Sequence, residues 1–178
     1  YLIIMACTLT TGRKLPCKSA VGGLKTVYFA DFGTLGATTI ASGELTAIAG
    51  TPDLFQFDIK GNSSLESAIN SSRENGTTFY ETTLNLTLTF LEKATQEELK
   101  LIAHARPHVF VEDYNGNYFV VGLEHGAEVT GGSIVSGAAM GDLSGFTLTM
   151  VAQETAPPYF VTASVVTGNA SATQITPN

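Results

Sequence analysis

The chain has 178 residues, 44% of them hydrophobic but only 14% charged, where an average soluble domain carries about 25% charged residues. That length suffices for one domain with a sizeable core. A net charge of −7 and a pI near 4.8 exclude a protein that grips phosphate backbones.

So few charges suit either an exterior covered by other copies or a β domain coated with Thr, Ser and Asn. The charge is also uneven. Arg13, Lys14, Lys18 and Lys25 precede the first acid, Asp31, and no Lys or Arg follows Arg106, whereas Glu112, Asp113, Glu124, Glu128, Asp142 and Glu154 do. Such a basic arm pairs with the acidic body of a neighbour, or its bases are incidental to a solvated N-terminus. Cys7 and Cys17 are too few for a disulfide scaffold and lack zinc-ligand company; they read as reduced thiols, with a bridge closing the arm as the alternative. The opening YLIIMACTL is too short to span a bilayer and lacks a basic leader region. Met5 reads as the natural start, with Tyr1 to Ile4 as upstream translation, and no membrane partner is expected. The Asn-X-Ser/Thr triplets at Asn62, Asn70, Asn75, Asn85 and Asn169 arise readily in a Thr/Ser-rich chain.

Residues 1–23 read as an irregular arm, 24–160 as a β-sandwich domain, and 161–178 as a C-terminal arm or tail. In LKTVYFADF, Val27 and Phe29 oppose Tyr28, giving a strand. Residues 33–36 turn the chain, and 37–50 supply one or two short strands broken near Ser42-Gly43. LFQFDIK alternates again. Residues 61–76, GNSSLESAINSSRENG, read as a long exposed polar loop with room for one helical turn at 65–69. Loops of that length usually bind something, so Asn62, Ser63, Ser64, Glu66, Asn70, Arg73, Glu74 and Asn75 are candidate subunit-contact residues, together with Arg13, Lys14 and Lys18 of the arm.

The next stretch organises the rest. Leu84, Leu86, Leu88 and Phe90 alternate with Asn85, Thr87 and Thr89, which puts one greasy and one hydroxylated face on a strand. Thr95 and Glu98 have capping-box spacing, which predicts a helix near 95–105, stopped by Pro107. HVFVEDY and NYFVVG flank Asn115-Gly116, the dipeptide that type I′ turns select. A further strand lies in LEHGAEVTGGSIV. After a small-residue loop, GFTLTMVAQE sets Phe146, Leu148, Met150 and Ala152 against Thr147, Thr149 and Gln153. Ala156-Pro157-Pro158 ends the sheet region, and the charge-free remainder is either a loose tail or an arm ordered by a neighbour. The expected fold is mainly β: an antiparallel sandwich or open barrel of about eight strands with one packed helix. Its strand edges must be blunted or paired.

These residues form no recognisable catalytic constellation. His104 and His108 have i, i+4 spacing, but Pro107 lies between them and no HExxH motif is present; they and His125 read as surface or satisfied histidines. Glu112 and Asp113 are adjacent on a strand and so point to opposite faces. Asp113, Asn115 and Asn117 are followed by Tyr118 where a calcium loop needs Gly, and a hairpin turn explains them better. The glycines at 131–132 and 137–141 follow no strand into a helix, and there is no G-x-S-x-G elbow. Neither a basic stripe nor aromatics interleaved with bases mark a nucleic-acid site. No enzyme activity, cofactor or metal is expected.

From about Leu54 to Phe160, the order of parts resembles tailed-bacteriophage tail tube proteins. LFQFDIK and TTFYETTLNLTLTF come first, then ATQEELKLIAHA, VFVEDYNGNYFVVGLEHGAEVT and GAAMGDLSGFTLTMVAQETAPPYF. The opening GRKLPCKSAVGGLKTVYFADFG is similar to short openings of such proteins. The resemblance implies a virion structural protein without an active site. It further implies hexameric rings whose sheets join into an inner barrel, stacked into a tube in the virion tail and assembled in the host cytoplasm. Its partners would be further copies, other tail proteins at the tube ends, and genomic DNA passing through without specific binding. Faces such as Thr87/Thr89 or Thr147/Thr149 are candidates for the lumen, with the leucine faces packed on the helix. Two other readings stand: another virion component (a head-decoration, connector or tail-terminator protein), or a β-sandwich carbohydrate- or receptor-binding module. The second expects exposed aromatic platforms, and the chain has no Trp.

Overall fold

A computed structural model describes residues 9–59, 62–171 and 173. The expectations about Tyr1 to Ile4, Met5 and Cys7 fall outside these residues; Cys17 is a free, exposed thiol. Eleven strands and two helices are formed: β1 (Leu24–Ala30), β2 (Thr38–Ala41), β3 (Glu44–Ile48), β4 (Phe55–Asp58), β5 (Ser64–Ser72), β6 (Thr77–Thr89), α1 (Lys93–His104), β7 (His108–Asp113), β8 (Tyr118–Val121), β9 (Glu128–Val135), β10 (Gly145–Glu154), β11 (Phe160–Val161) and α2 (Ala163–Thr167). They make two sheets, one of seven strands in the order β2-β3-β11-β8-β7-β1-β4 and one of four in the order β5-β6-β10-β9. The mainly β, sandwich-like architecture is as expected, without a closed barrel. Every pairing between these strands is antiparallel except β3 with β11, and an isolated parallel bridge joins Leu54 to Ala170.

The leucine face of β6 and the Phe146–Ala152 face of β10 pack on Val27, Phe29, Val109, Val111 and Val121 of the large sheet. The main partner of the leucines is therefore the opposite sheet; α1 adds Ile102. Phe90 leaves that face: its backbone turns to φ 77°, and its side chain is half exposed. The large sheet is buried on its second face too, where Tyr28, Leu45, Leu54, Phe110, Val120 and Val161 meet Val165 and Val166 of α2. Burial on both sides explains why β1 and β7 are nearly continuous apolar runs.

Three expectations are corrected. Residues 64–72 are a strand, in register with β6 from Ser64↔Asn85 to Ser72↔Thr77; pairing and the anchoring of Leu65 outweigh the weak β-propensity of Ser and Asn. The helix starts two residues before Thr95. Glu92 is its N-cap without a side-chain cap bond, and the Thr95 hydroxyl bonds back to the Glu92 carboxylate at 3.4 Å, so no capping box forms at Thr95 and Glu98. The stretch after 160 is folded on its own body through residue 171. Val165 and Val166 are buried, and Leu54 exchanges backbone hydrogen bonds with Asn169 and Ser171 at 3.0 and 2.8 Å.

The β7–β8 turn also differs from type I′. Gly116 has φ 82°, whereas Asn115 does not enter the left-handed region. Asp113 and Asn117 bracket a three-residue loop, with Gly116 N–H donating to Asp113 O at 3.3 Å and Asp113 N–H to Asn117 O at 3.0 Å. The Asp113 carboxylate accepts from the N–H groups of Asn115 and Asn117 at 2.9 and 2.8 Å. This holds Tyr114 and Asn115 in an ordinary turn and leaves only glycine at the positive φ.

Val166→Ala removes two fully buried methyl groups, and should cost about 2 kcal/mol once the cavity is included. Urea unfolding measures it; a loose tail would show no change.

Candidate assembly surface

The four-stranded sheet is covered on one face only. Its open face is built in cross-strand rows fixed by register: Ser64, Asn85, Thr149 and Gly131; Glu66, Thr83, Val151 and Glu128; Thr87, Thr147 and Ser133; Ala68, Glu81 and Gln153. Hydroxyl and amide groups tie these rows together. Thr149 Oγ1 donates to Asn85 Oδ1 at 3.0 Å, the Ser133 and Thr147 hydroxyls share a bond of 2.6 Å, and Gln153 Nε2 donates to Glu81 Oε2 at 2.9 Å. The charges in these rows are Glu66, Glu81 and Glu128, and among the described residues no Lys or Arg stands on this face. Thr87 of β6 and Thr147 and Thr149 of β10 thus lie on one surface.

Both borders of this sheet are free. Among the described residues, β5 pairs only with β6, and β9 only with β10. The β5–β6 hairpin also overhangs, because β10 pairs with β6 only from Tyr80 onward. Asn70 to Ser72 and Thr77 to Phe79 therefore extend beyond the sheet, with Ile69 and Phe79 exposed near the base.

The structure sorts the sequence candidates. Ser64, Glu66 and Asn70 lie on the open face of β5, and Arg73, Glu74 and Asn75 form the exposed hairpin tip. Ser63 is buried, its hydroxyl accepting from Thr87 N–H at 3.1 Å, so it fixes β5 to β6 and cannot be a contact residue. Asn62 is exposed, and its carbonyl accepts from the Thr87 hydroxyl. Arg13, Lys14 and Lys18 lie on a wholly exposed arm and make no ion pair among the described residues. The arm is moored where Asn115 bonds Val21, accepting from its N–H at 3.0 Å and donating to its carbonyl at 2.8 Å. The strand expected within residues 123–135 is β9, which begins at Glu128 after the loop closed by Gly122 and Gly126.

His104 and His125 are exposed, while His108 is buried and satisfied. His108 Nε2 accepts from Gly33 N–H at 3.1 Å, so Nδ1 carries the proton and donates to Gly122 O at 2.6 Å. Phe32 stacks on the ring at 5.0 Å, with the Arg106 guanidinium 4.0 Å over Phe32. Burial lowers the His108 pKa, and the charge of Arg106 lowers it further, against the Gly122 bond and Glu154. No family model matches the chain, and no curated protein matches it.

A lowered folded pKa means the unfolded chain binds the extra proton first. This contribution is complete above about pH 6.5 and is lost as pH falls through the folded value. Urea midpoints should therefore fall below pH 6.5, and His108→Gln should flatten that part of the profile.

Proposed function

We propose that the chain is a ring-forming structural subunit of a phage tail tube, a passive conduit for DNA. The observation that carries this reading is the four-stranded sheet with a polar, base-free open face and two unpaired borders. Its strands alternate in direction and are even in number, so a copy rotated about a common axis presents β5 antiparallel to β9 of its neighbour. The two borders, nine and eight residues long, are matched in length. Ring closure would remove both edges and turn the Thr/Ser/Asn face to the lumen, where carboxylates and the absence of cations leave a polyanion nothing to anchor on. The overhanging hairpin and the basic arm supply reach from one ring to the next.

Electron microscopy of the concentrated protein tests the reading. Stacked rings are expected; a persistent monomer counts against it, and isolated rings favour a connector or terminator. Replacing residues 70–79 by an Asn-Gly turn should leave folded subunits that no longer stack, and normal tubes from that variant would remove the hairpin from the mechanism. Lysines at Thr87, Thr147 and Thr149 should permit tube assembly but slow genome passage in a complementation assay. Undiminished infectivity would count against an electrostatic role for the wall.

A further inference from the structure

We propose that Glu124, His125 and Glu154 form a site for one divalent cation of the zinc class, a property separate from the assembly surface. One ligand atom from each residue lies within 4.8 Å of the other two. Donors around a zinc-class ion with bonds of about 2.0–2.2 Å sit closer together, and the exposed Glu124 and His125 side chains close that gap by rotation. The donor set is mixed, one imidazole with two carboxylates, which suits borderline ions of this class better than magnesium or calcium. Two carboxylates converge with no basic side chain pairing either: among the described residues the ion pair is Lys25 with Glu112, remote from this place. A cation would offset that local repulsion.

The site is held by the fold. Glu154 ends β10, and its Oε1 accepts from the N–H groups of Glu124 and His125 at 3.2 and 3.0 Å, which leaves Oε2 for an ion. The loop carrying Glu124 and His125 is closed by Gly126 N–H donating to Gly122 O at 3.1 Å, and by the buried His108 on the same carbonyl. Gly122, at φ 71°, lies so close to the Gly126 backbone that a Cβ would collide. Three protein donors leave at least one position to water. The bound ion would pin the β8–β9 loop to the end of β10, beside the root of the hairpin, since Glu154 pairs with Tyr80.

The test is calorimetric titration of the tag-free full chain with zinc chloride, alongside His125→Ala, Glu124→Gln, His104→Ala and Cys17→Ser. One ion per chain at micromolar concentration is expected, weakened at least about tenfold in the first two variants and unchanged in the last two, with the thermal midpoint of the unaltered chain rising on saturation. His125 and Glu124 are exposed, so their variants fold, as circular dichroism checks. Absence of binding below millimolar zinc overturns the proposal, as does affinity unchanged in His125→Ala or lost in Cys17→Ser or His104→Ala.

Discussion

Everything in this fold rests on an asymmetry of burial between two sheets. The central strands of the seven-stranded sheet are covered on both faces, by the four-stranded sheet on one side and by α2 with the segments around Leu35 and Leu54 on the other. The four-stranded sheet has only one cover. Its inner face therefore carries Leu, Phe and Met, and its outer face Thr, Ser, Asn and Glu, with the period of two that a half-buried strand requires. The large sheet backs the small one, which presents a polar surface with two borders unpaired among the described residues.

That back is self-sufficient because the end of the chain completes it. Without Val165 and Val166, the side of the large sheet bearing Tyr28, Phe110 and Val120 would lose part of its cover. The hydrogen bonds joining Leu54 to Asn169 and Ser171 close the packing. The charge-free terminus, which composition alone offers to a neighbour as readily as to its own body, is thus committed internally up to residue 171. Under the proposed assembly, contacts between subunits would fall to the hairpin, the basic arm and the borders of the small sheet.

What was legible in the sequence follows the strength of local pattern. β6 and β10 announce themselves because alternate Leu or Phe and Thr residues leave no other geometry, and α1 because Leu99 and Ile102 precede a proline stop. Its start was misplaced, since Lys93 and Ala94 are good helix formers that continue the helix back to Glu92 without a side-chain cap. The Asn115-Gly116 turn was legible as a turn but not by type, because the Asp113 carboxylate decides between the available conformations. β5 was invisible: Ser, Asn and Glu carry no strand signal, and its existence depends on β6 alongside and on Ser63 and Leu65 beneath. The open face was foreseen in its Thr residues, whereas Glu128 and Ser133 join it only through the register of β9. Glu124 and His125 lie 29 or more residues from Glu154, a separation that only the sheet collapses.

β5 has a kinetic consequence. It is held by a single ladder of nine pairs and little apolar cover, so its outer margin is open to a second strand. Were copies to close a ring as proposed, the same strand would be flanked on both sides, and each added copy would stiffen the margin that receives the next. Such a scheme would have a lag, a threshold concentration, and rapid growth once the first circle existed.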